Sequence, residues 1–453
     1  MVQGPLDGVD VIDNVVLNIT SEGWAYGIEV TPTGSSPSNP PLDVLIENNE
    51  INGVNPSETG DTAPYPGAGL SIDQYNDSNT ADASEVVVHY NKFLNTPYSI
   101  INKDTVNTLG ALANWFGSSS EPSNTGGLVN YNPWCYVADC TELYVADGGS
   151  IQDGIDLVKN STVHVGAGTF NGSLTIDKSL TLIGAGPTNT LLTASSSPVI
   201  LVTANDVTIK DLGITDGTQL PEAIRVSGAT ANLTLDNVEI TKLGAGTGAN
   251  AYGINFLNPF TGLTVADSDF IGVAPGDYTR VIGIYAGNNM DISSFSITGS
   301  TFEQVFVGIY FRGTVDGLTV TGNTFGPMDI EDCRAAASGI YIGDDPTNSF
   351  IDNVTVSGNA FNSYCRGFYM LEYGDDGGSI NTMTISNNTF TNSIYSSPVR
   401  IIADWFNDSS EAVTINGPVS ISGNTFIQNS PIVGGATVSM IDIRATSTTG
   451  PNA

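Results

Sequence analysis

A block of alternating apolar and polar residues recurs along the second half of the chain and closes each time on a phenylalanine. One clear copy is Leu318-Thr-Val-Thr-Gly-Asn-Thr-Phe325. Strict alternation is typical of a half-buried β-strand, and the small polar pair is typical of a turn. The phenylalanines that close the copies are Phe270, Phe302, Phe325, Phe361, Phe390 and Phe426. This pattern predicts an all-β repeat protein.

The spacing between successive copies is irregular. Neighbouring phenylalanines are separated by 23 to 36 residues. A helical repeat array would lose its register over such variation, whereas a parallel β-helix keeps its strands aligned while its loops differ in length. A second strand pattern recurs between the phenylalanine blocks, at residues 281–285, 307–310, 338–341 and 366–369. We therefore expect a solenoid of short parallel strands.

Stacked coils would place equivalent side chains directly above one another. The internal phenylalanines would form one ladder inside the solenoid. A second ladder, of parallel side-chain amides, would form at the turn before each phenylalanine. Its members would be Asn323, Asn359, Asn388 and Asn424. We expect both ladders to be structural.

The segment from 141 to about 190 has a different character. It contains the one predicted helix, near 151–159, with Ser150 as N-cap and Asp153 in the first turn. Ala-Gly-Thr-Phe170 and Ile176-Asp-Lys-Ser-Leu-Thr-Leu-Ile-Gly184 follow. These motifs resemble the opening of right-handed β-helix domains of the pectin-lyase-like and periplasmic copper-protein type. The resemblance implies an all-β, right-handed parallel β-helix with one short capping helix, and it implies no particular activity.

A second resemblance concerns the end of a solenoid. Ala113-Asn-Trp-Phe-Gly and the later Tyr131 and Trp134 are similar to the closing turn of β-helix domains in bacterial and archaeal surface proteins. Phe116 and Glu121 depart from the usual Trp and Gly of that turn. The resemblance implies that residues 1–139 are the terminal coils and aromatic cap of one β-helix. Residues 140–453 would then be an N-terminally capped β-helix that lacks its own C-terminal cap.

The charge of the chain is strongly negative. There are 47 Asp and Glu residues against 13 Lys and Arg residues, for a net charge of −34. This balance argues against nucleic acid as a partner, because phosphate neutralisation needs clustered cations. It also argues against anionic membranes, and against polyanionic substrates unless metal ions intervene.

Features of secreted proteins are also present. No apolar run is long enough for a membrane span, and the first residues lack the regions of a signal peptide, so a leader was removed or the chain is a piece of a longer protein. We expect an extracellular or cell-surface glycoprotein. The asparagines that begin its glycosylation motifs are Asn18, Asn76, Asn160, Asn171, Asn232, Asn353, Asn387 and Asn407.

Four cysteines suggest disulfides in an exported protein. Cys333 and Cys365 precede equivalent strands and would lie on adjacent coils, within bridging range. Cys135 and Cys140 flank the predicted domain junction. They could close a small loop or reach a neighbouring subunit.

Paired aspartates follow two equivalent strands, at Asp344-Asp345 and Asp375-Asp376. Stacked carboxylates could cleave a glycosidic bond, could bind calcium, or could be ordinary turn residues. Arginines at similar places, Arg312, Arg334, Arg366 and Arg400, could form surface salt bridges with them. We favour turns, keep calcium at these four aspartates as the only candidate cofactor, and predict no catalytic residue.

Two functions from different classes follow. The first is a non-enzymatic extracellular structural protein that self-assembles head to tail by β-helix stacking into a surface layer, sheath or filament. The alternative is a carbohydrate-active or carbohydrate-binding β-helix, of lyase or hydrolase type, that uses the face of Asp344, Asp375, Arg366 and Tyr369, or an adhesin module of a larger surface protein. Partners would be copies of the chain, or cell-surface glycans. The predicted assembly interface comprises Val419, Ile421, Phe426, Ile441, Ile12 and Val16.

Overall fold

The computed structural model describes most of the chain. The described residues are 1–3, 6–32, 41–56, 67–76, 79–159, 161–215, 219–244, 249–273, 280–328, 337–343, 350–371, 378–393, 397–403, 414–429 and 439–445. The chain divides into two compact units, Met1–Gly166 and Ala167–Ala453. The predicted division at residue 139 stays a prediction.

The first unit is built from parallel strands that stack coil on coil in three sheets. One sheet contains Val2–Gln3, Ala25–Thr31, Gly67–Ile72, Tyr98–Asn102 and Thr125–Gly126. The second contains Asp7–Ile12, Leu42–Glu47, Val86–His89, Leu109–Gly110 and Val129–Asn130. The third contains Val15–Ser21, Glu50–Pro56 and Lys92–Leu94. Their inward side chains form one apolar core.

Smaller elements complete the first unit. The strands Gln74–Asn76 and Asn79–Thr80 pair antiparallel, and Ala83–Glu85 is a 3-10 turn. Trp134–Cys135 pairs antiparallel with Glu142–Val145, which pairs parallel with Ser161–Val165. The predicted helix is present as Ile151–Leu157, and the hydroxyl of Ser150 accepts a hydrogen bond from the amide of Asp153 at 3.1 Å.

An aromatic series lies where the closing turn was predicted. The ring centres of Phe116 and Tyr131 are 6.3 Å apart, and those of Tyr131 and Trp134 are 6.2 Å apart. The ring of Trp134 is 4.9 Å from that of Tyr144. Phe116 also packs against the apolar core of this unit. These aromatic side chains therefore lie in one continuous series at the predicted closing turn, and their role as a cap stays a prediction.

The second unit contains a long sheet and a ten-stranded sheet. The long sheet contains Gly168–Asn171, Leu180–Ile183, Thr190–Thr193, Val207–Thr215, Ala231–Leu243, Phe260–Ala266, Asp269–Gly272, Ile292–Thr298, Thr301–Glu303, Val315–Thr321, Thr324–Phe325, Phe350–Asp352, Val354–Ser357, Ala360–Asn362, Ser379–Ile380, Met383–Ser386, Thr389–Thr391, Thr414–Ile415, Val419–Ser422 and Thr425–Ile427. The ten-stranded sheet contains Leu174–Ile176, Ile200–Val202, Glu222–Val226, Asn250–Phe256, Arg280–Ala286, Val307–Phe311, Ser338–Gly343, Arg366–Leu371, Val399–Ala403 and Ile441–Ala445.

The predicted phenylalanine ladder is confirmed. Neighbouring rings from Phe270 to Phe426 lie 4.8 to 5.1 Å apart and nearly parallel. The facing strand leaves room for each ring with a glycine. A Cβ atom at Gly308 would come within 2.7 Å of the ring of Phe325 and 2.6 Å of a backbone oxygen. The recurrent glycine of the second strand pattern is therefore required by the ladder.

The predicted amide ladder is confirmed as well. Asn359 donates from its backbone N–H and its Nδ2 to the Oδ1 of Asn388, both at 2.9 Å. The same two bonds join Asn323 to Asn359 and Asn388 to Asn424. In earlier coils a serine takes the place of the asparagine, and the amide of Ser268 donates to the hydroxyl of Ser300 at 3.1 Å.

The first unit has its own amide ladder, which the sequence pattern did not reveal. Its rungs are Asn14, Asn49, Asn91 and Asn114, and neighbouring rungs are joined by bonds of 2.9 to 3.0 Å. Asn114 is the asparagine of the predicted closing turn. Its position as the last rung explains why an asparagine precedes Trp115 there.

Candidate functional site

The outer surface of the ten-stranded sheet brings one side chain per coil into a column. Strand register places Arg225 beside Asn255, Asn255 beside Tyr285, and Tyr285 beside Tyr310. The column continues through Tyr341, Tyr369, Arg400 and Asp442. We call this column, with the side chains that flank it, the arginine–tyrosine face.

Four tyrosines of this column stack on one another along the solenoid. The ring of Tyr310 is 5.5 Å from that of Tyr285 and 4.7 Å from that of Tyr341. The ring of Tyr369 follows at 4.7 Å, and Tyr252 of the flanking column joins at 5.0 Å from Tyr285. Parallel strands about 5 Å apart produce this stacking.

Arginines lie against these rings. The guanidinium carbon of Arg366 is 4.4 Å from the ring centre of Tyr369, and that of Arg400 is 5.8 Å from the same ring. Arg312 is 5.9 Å from the ring centre of Tyr310. Such contacts are favourable because the ring face is negative.

The sign of the charge on these ten strands is opposite to that of the whole chain. Of the seven arginines in the sequence, five lie in the ten strands: Arg225, Arg280, Arg366, Arg400 and Arg444. The same strands contain two acidic residues, Glu222 and Asp442. In a chain of net charge −34, this is a local concentration of cations.

Exposure to solvent divides the face into two parts. Tyr341, Tyr369 and Arg366 are buried. Tyr252, Tyr285, Tyr310 and Arg312 are half-buried, and the side chain of Arg225 is 37% exposed. A ligand from solvent therefore meets the half that runs from Arg225 to Arg312.

A group of three hydrogen-bonded polar side chains lies at the Arg225 end of the accessible half. The buried carboxylate of Glu222 accepts hydrogen bonds from Nε and Nη2 of Arg225 and from Nδ2 of Asn255, the last at 2.7 Å. The hydrogen bond to Glu222 raises the pKa of Arg225, which keeps the guanidinium charged. Burial raises the pKa of the neighbouring Tyr252, whose hydroxyl accepts a hydrogen bond from Asn250 at 3.0 Å.

The structure brings together only part of the carbohydrate face expected from the sequence. Arg366 and Tyr369 are in contact, but both are buried, so they are not the surface that solvent reaches. Arg400 pairs with Asp442 at 3.3 Å. The predicted salt bridges between these arginines and the paired aspartates stay a prediction, because those aspartates lie outside the described residues.

The predicted calcium ligands Asp344, Asp345, Asp375 and Asp376 lie outside the described residues, as does Arg334. The candidate calcium site stays a prediction. Within the described ranges, no group of three or more His, Cys, Asp or Glu side chains is arranged to hold a metal ion.

The cysteines form disulfides where they are described. Cys135 and Cys140 are bonded to each other, with their Cα atoms 4.8 Å apart, so they close a small loop. Cys365 is also in a disulfide, and Cys333 lies outside the described residues.

Several glycosylation motifs are accessible. The exposed asparagines are Asn18, Asn171, Asn232, Asn353 and Asn387. Asn160, Asn407 and the side chain of Asn76 lie outside the described part. Occupancy by glycans stays a prediction.

The predicted assembly residues form two apolar rims. In the last coil of the second unit, Val419, Ile421 and Phe426 are half-buried, although their equivalents one coil earlier are fully buried. Ile441 is exposed beside them. In the first unit Ile12 is exposed and Val16 is half-buried.

A titratable cluster on the first unit escaped the sequence reasoning. The ammonium of Lys103 is 2.7 Å from Oδ1 of Asp73 and 3.1 Å from the hydroxyl of Tyr26, and it lies 4.7 Å above the ring of Trp24. Burial raises the pKa of Glu29, and the charge and hydrogen bond of Asp73 raise it further. The two carboxyl groups are in direct contact, which leaves no room for the water or sugar that a hydrolytic pair must hold between them.

Sequence reasoning also missed Glu222, Arg225, Asn255 and the tyrosine column. A signal was present, because Glu222 and Arg225 are three residues apart on one strand and tyrosine recurs in the second strand pattern. The contact between Glu222 and Asn255 joins residues 33 positions apart, so it follows only from the coil register.

The parallel sheets and internal ladders define the fold as a right-handed parallel β-helix, as the sequence predicted. Within the described residues, no helix is long and apolar enough to span a membrane. No protein-family model matches the chain, and no curated protein matches it.

Two solved structures are similar to the chain. An alginate lyase from Paenibacillus sp. str. FPU-7 matches 64% of this chain and 98% of its own, with a TM-score of 0.46 and 15% identity. AlyGC, an alginate lyase of the PL6 family, matches 93% of this chain, with a TM-score of 0.32 and 13% identity. The chain spans 58% of the length of AlyGC. At these identities the likeness concerns the fold.

One prediction from the sequence is corrected by this result. The sequence predicts a non-enzyme, because the paired aspartates are interpreted as turns and no catalytic residue is predicted. Both similar structures are nevertheless polysaccharide lyases, so the fold gives no ground for excluding catalysis. The expectation of a non-enzyme is therefore not retained.

Proposed function

We propose that this chain binds an acidic, uronate-containing polysaccharide along the arginine–tyrosine face and cleaves it by β-elimination. The concentration of arginines on this one sheet is the observation that carries the proposal. Five of the seven arginines lie in its strands, against two acidic residues, and the accessible half contains Arg225 and, directly after a strand, Arg312. Guanidinium groups bind carboxylates through paired hydrogen bonds, which makes them suited to a row of uronates.

The overall negative charge does not prevent this. Charges separated by more than about 8 Å are largely screened at physiological ionic strength, so a bound sugar responds mainly to its immediate surroundings. The long-range field instead slows the approach of a polyanion. Association should therefore become faster as salt is added at low ionic strength.

The dimensions of the face suit an extended chain of sugars. The accessible tyrosines Tyr285 and Tyr310 follow the solenoid axis with ring centres 5.5 Å apart, and Tyr252 of the flanking column lies 5.0 Å from Tyr285. That repeat is close to the rise of one pyranose in an extended polymer. Tyrosine rings combine an apolar body with a hydroxyl, and they are typical contacts of sugar rings.

The chemistry follows from the groups present. An arginine that neutralises the uronate carboxylate makes the proton at C5 more acidic. A base removes that proton, the electron pair forms a C4–C5 double bond, the C4–O bond breaks, and the departing oxygen takes up a proton. We assign neutralisation of the carboxylate to Arg312 and both proton steps to Tyr310, which lies beside it in the accessible half. The phenolate form of Tyr310 takes the C5 proton, and the resulting phenol gives a proton to the departing oxygen.

The test uses alginate and polygalacturonate with the full-length chain. Wild type should bind at least one of them and produce unsaturated ends that absorb in the ultraviolet. Tyr310→Phe should lower cleavage by about 100-fold or more while retaining binding, whereas Arg312→Ala should weaken binding. Tyr136→Phe, outside the face, is the matched control. If wild type neither binds nor cleaves either polymer, the proposal is wrong.

The extracellular location is part of this proposal. The disulfide between Cys135 and Cys140 and the exposed glycosylation motifs support it. A polymeric substrate of this kind is also found outside cells rather than within them.

Head-to-tail assembly remains a second proposal. Two observations support it: the apolar rims of the outer coils, and the direction of the amide ladders. Each rung donates to the Oδ1 of the following coil, so Asn424 offers donors while Asn14 offers its Oδ1 as an acceptor. A second copy of the chain would match both features.

A further inference from the structure

The coils of the two units have the same pattern of inward residues around the ladder asparagine. Apolar side chains stand five and three positions before that asparagine and two positions after it. They are Val419, Ile421 and Phe426 around Asn424, and Val9, Val11 and Val16 around Asn14. The first coil of the first unit can therefore continue the last coil of the second unit in one register.

The strand that completes each coil follows the same pattern. A Cβ atom at Gly27 would meet the side chain of Ile51 on the next coil. Gly367 has the same relation to the ring of Phe390. These two glycines therefore occupy equivalent places in their units.

This equivalence fixes the neighbours of the last strand in a stack of two copies. In the second unit, the residue after the glycine belongs to the column that ends at Ile441. In the first unit, the residue after the glycine is Ile28. A second copy stacked in this register would place its Ile28 beside Ile441 and its Val30 beside Ile443.

The last strand of the second unit, Ile441–Ala445, exposes its inward side chains. Ile443 is 55% exposed, whereas Ile401, which precedes it in the same column, is 1% exposed. Ile441 is 40% exposed, whereas Val399 before it is fully buried. Covering these two isoleucines with a further coil would be favourable.

The matching edge of the first unit is occupied in part. The strand Val2–Gln3 pairs with Val30 and Thr31 at the end of that unit's first sheet. Val2 is 7% exposed and belongs to the same apolar core as the fully buried Val30. In the stacked register, Ile443 of the other copy would need the place that Val2 holds.

Two strands of unequal length thus compete for one edge. Val2–Gln3 pairs with it at two positions, whereas Ile441–Ala445 pairs at five positions with the preceding strand of its own unit. Over residues 25–29, no strand of the described ranges pairs with this edge. A free strand edge is a template for pairing with another chain.

We infer that copies of the chain join by strand exchange, an inference that rests on the proposed head-to-tail assembly. Ile441–Ala445 of one copy replaces Val2–Gln3 on the edge of Ala25–Thr31 of the next copy. The incoming strand is longer, so the exchange adds backbone pairs, and it also covers Ile441 and Ile443. Val2–Gln3 therefore opposes assembly until it leaves the edge, and the joint has a single direction.

A reversible lock tests the exchange. Gln3→Cys combined with Thr31→Cys should form a disulfide, because paired residues of parallel strands lie within bridging distance. The oxidised protein should lose assembly, and reduction should restore it, as measured by sedimentation velocity and electron microscopy. Gln3→Ser combined with Thr31→Ser, given the same oxidant and reductant, is the matched control and should assemble throughout.

Weakening the resident strand should have the opposite effect. Val2→Asp places a charge against the core beside Val30, so Val2–Gln3 should leave its edge more readily. This variant should assemble faster than wild type. Gln3→Ser, on the exposed side of the same strand, should assemble at the wild-type rate.

Cross-linking between copies measures the register of the joint. Glu29→Cys mixed with Asp442→Cys should give disulfide-linked dimers on oxidation, because the exchange places these two positions side by side. Glu29→Cys mixed with Arg444→Cys should give few dimers. An offset of two residues makes the Cα separation about 8 Å, which is beyond bridging range.

The outcomes separate the exchange from the assembly itself. If the oxidised lock assembles as wild type does, or if assembling copies cross-link equally in both mixtures, the exchange is refuted while end-to-end stacking stands. If neither wild type nor Val2→Asp assembles, the head-to-tail proposal and the exchange fail together. Circular dichroism of each variant checks that it folds.

Discussion

Individual side chains in this molecule act mainly through their equivalents on the neighbouring coil. Asn359 is buried, yet its amide is satisfied because Asn388 stands directly above it. Asn255 is the contrasting case, since the equivalent position on the next coil is Tyr285, and the buried Oδ1 of Asn255 has no hydrogen-bond partner. A polar residue here is satisfied by repetition, and a break in the repetition leaves a buried acceptor without a partner.

The carboxyl group of Glu29 gives a pH-dependent consequence at this scale. Its pKa is raised by burial and by Asp73, so folding favours the protonated form. A group whose pKa is higher in the folded state than in the unfolded state contributes stability that is fully present below its unfolded-state pKa. That stability is lost as the pH rises through the folded-state pKa. The ionised form is thus the unfavourable one.

We expect Glu29→Gln to be more heat-stable than wild type near neutral pH and to lose this advantage as pH falls towards 4. Thermal melts of both proteins across pH 4 to 8 measure the difference. Glu22→Gln changes an exposed glutamate and serves as the control. If the melting temperatures of wild type and Glu29→Gln changed with pH in the same way, the contact with Asp73 would have no effect on stability.

At the scale of strands and turns, most of the architecture could be predicted from the sequence. The alternation of apolar and polar residues in blocks such as 318–325 indicates which side chains point inward. The phenylalanine that the blocks share indicates how neighbouring coils are aligned. The helix could also be predicted, since Ser150 caps Ile151–Leu157 as expected. These signals are local, so a single sequence contains them.

The candidate site could not be predicted in the same way. Arg225 and Asn255 become neighbours only because one coil is 30 residues long at that point. The length of the intervening loop decides which sequence positions are paired between coils, and it leaves no periodic trace in the sequence. Burial was equally hidden, because Arg366 and Tyr369 follow the same pattern as the accessible Tyr310 and yet are covered.

For the whole molecule, the apolar rims lead to a prediction about association. Introducing charge with Val419→Asp and Ile421→Asp should abolish end-to-end stacking, because an aspartate cannot be buried there without a partner. Sedimentation velocity and electron microscopy of wild type and the double variant measure this. The variant Thr425→Asp, on an exposed side chain of the same coil, is the control. Filaments that persist in the double variant would exclude these coils from the contact.

The turns between coils are joined either by asparagine side chains or by serine side chains. This difference determines how the second unit would respond to a pulling force along its axis. Asn359 and Asn388 are joined by two bonds at the turn, and Asn388 adds a third to Val356, whereas Ser268 and Ser300 share one. Hydrogen bonds between coils run along this axis, so the coils carry tension in series. We expect the serine joint to rupture first, and optical-tweezers traces should place the earliest extension there rather than among the asparagine rungs. A solenoid held at both ends would then lengthen at the serine joint before the asparagine rungs separated.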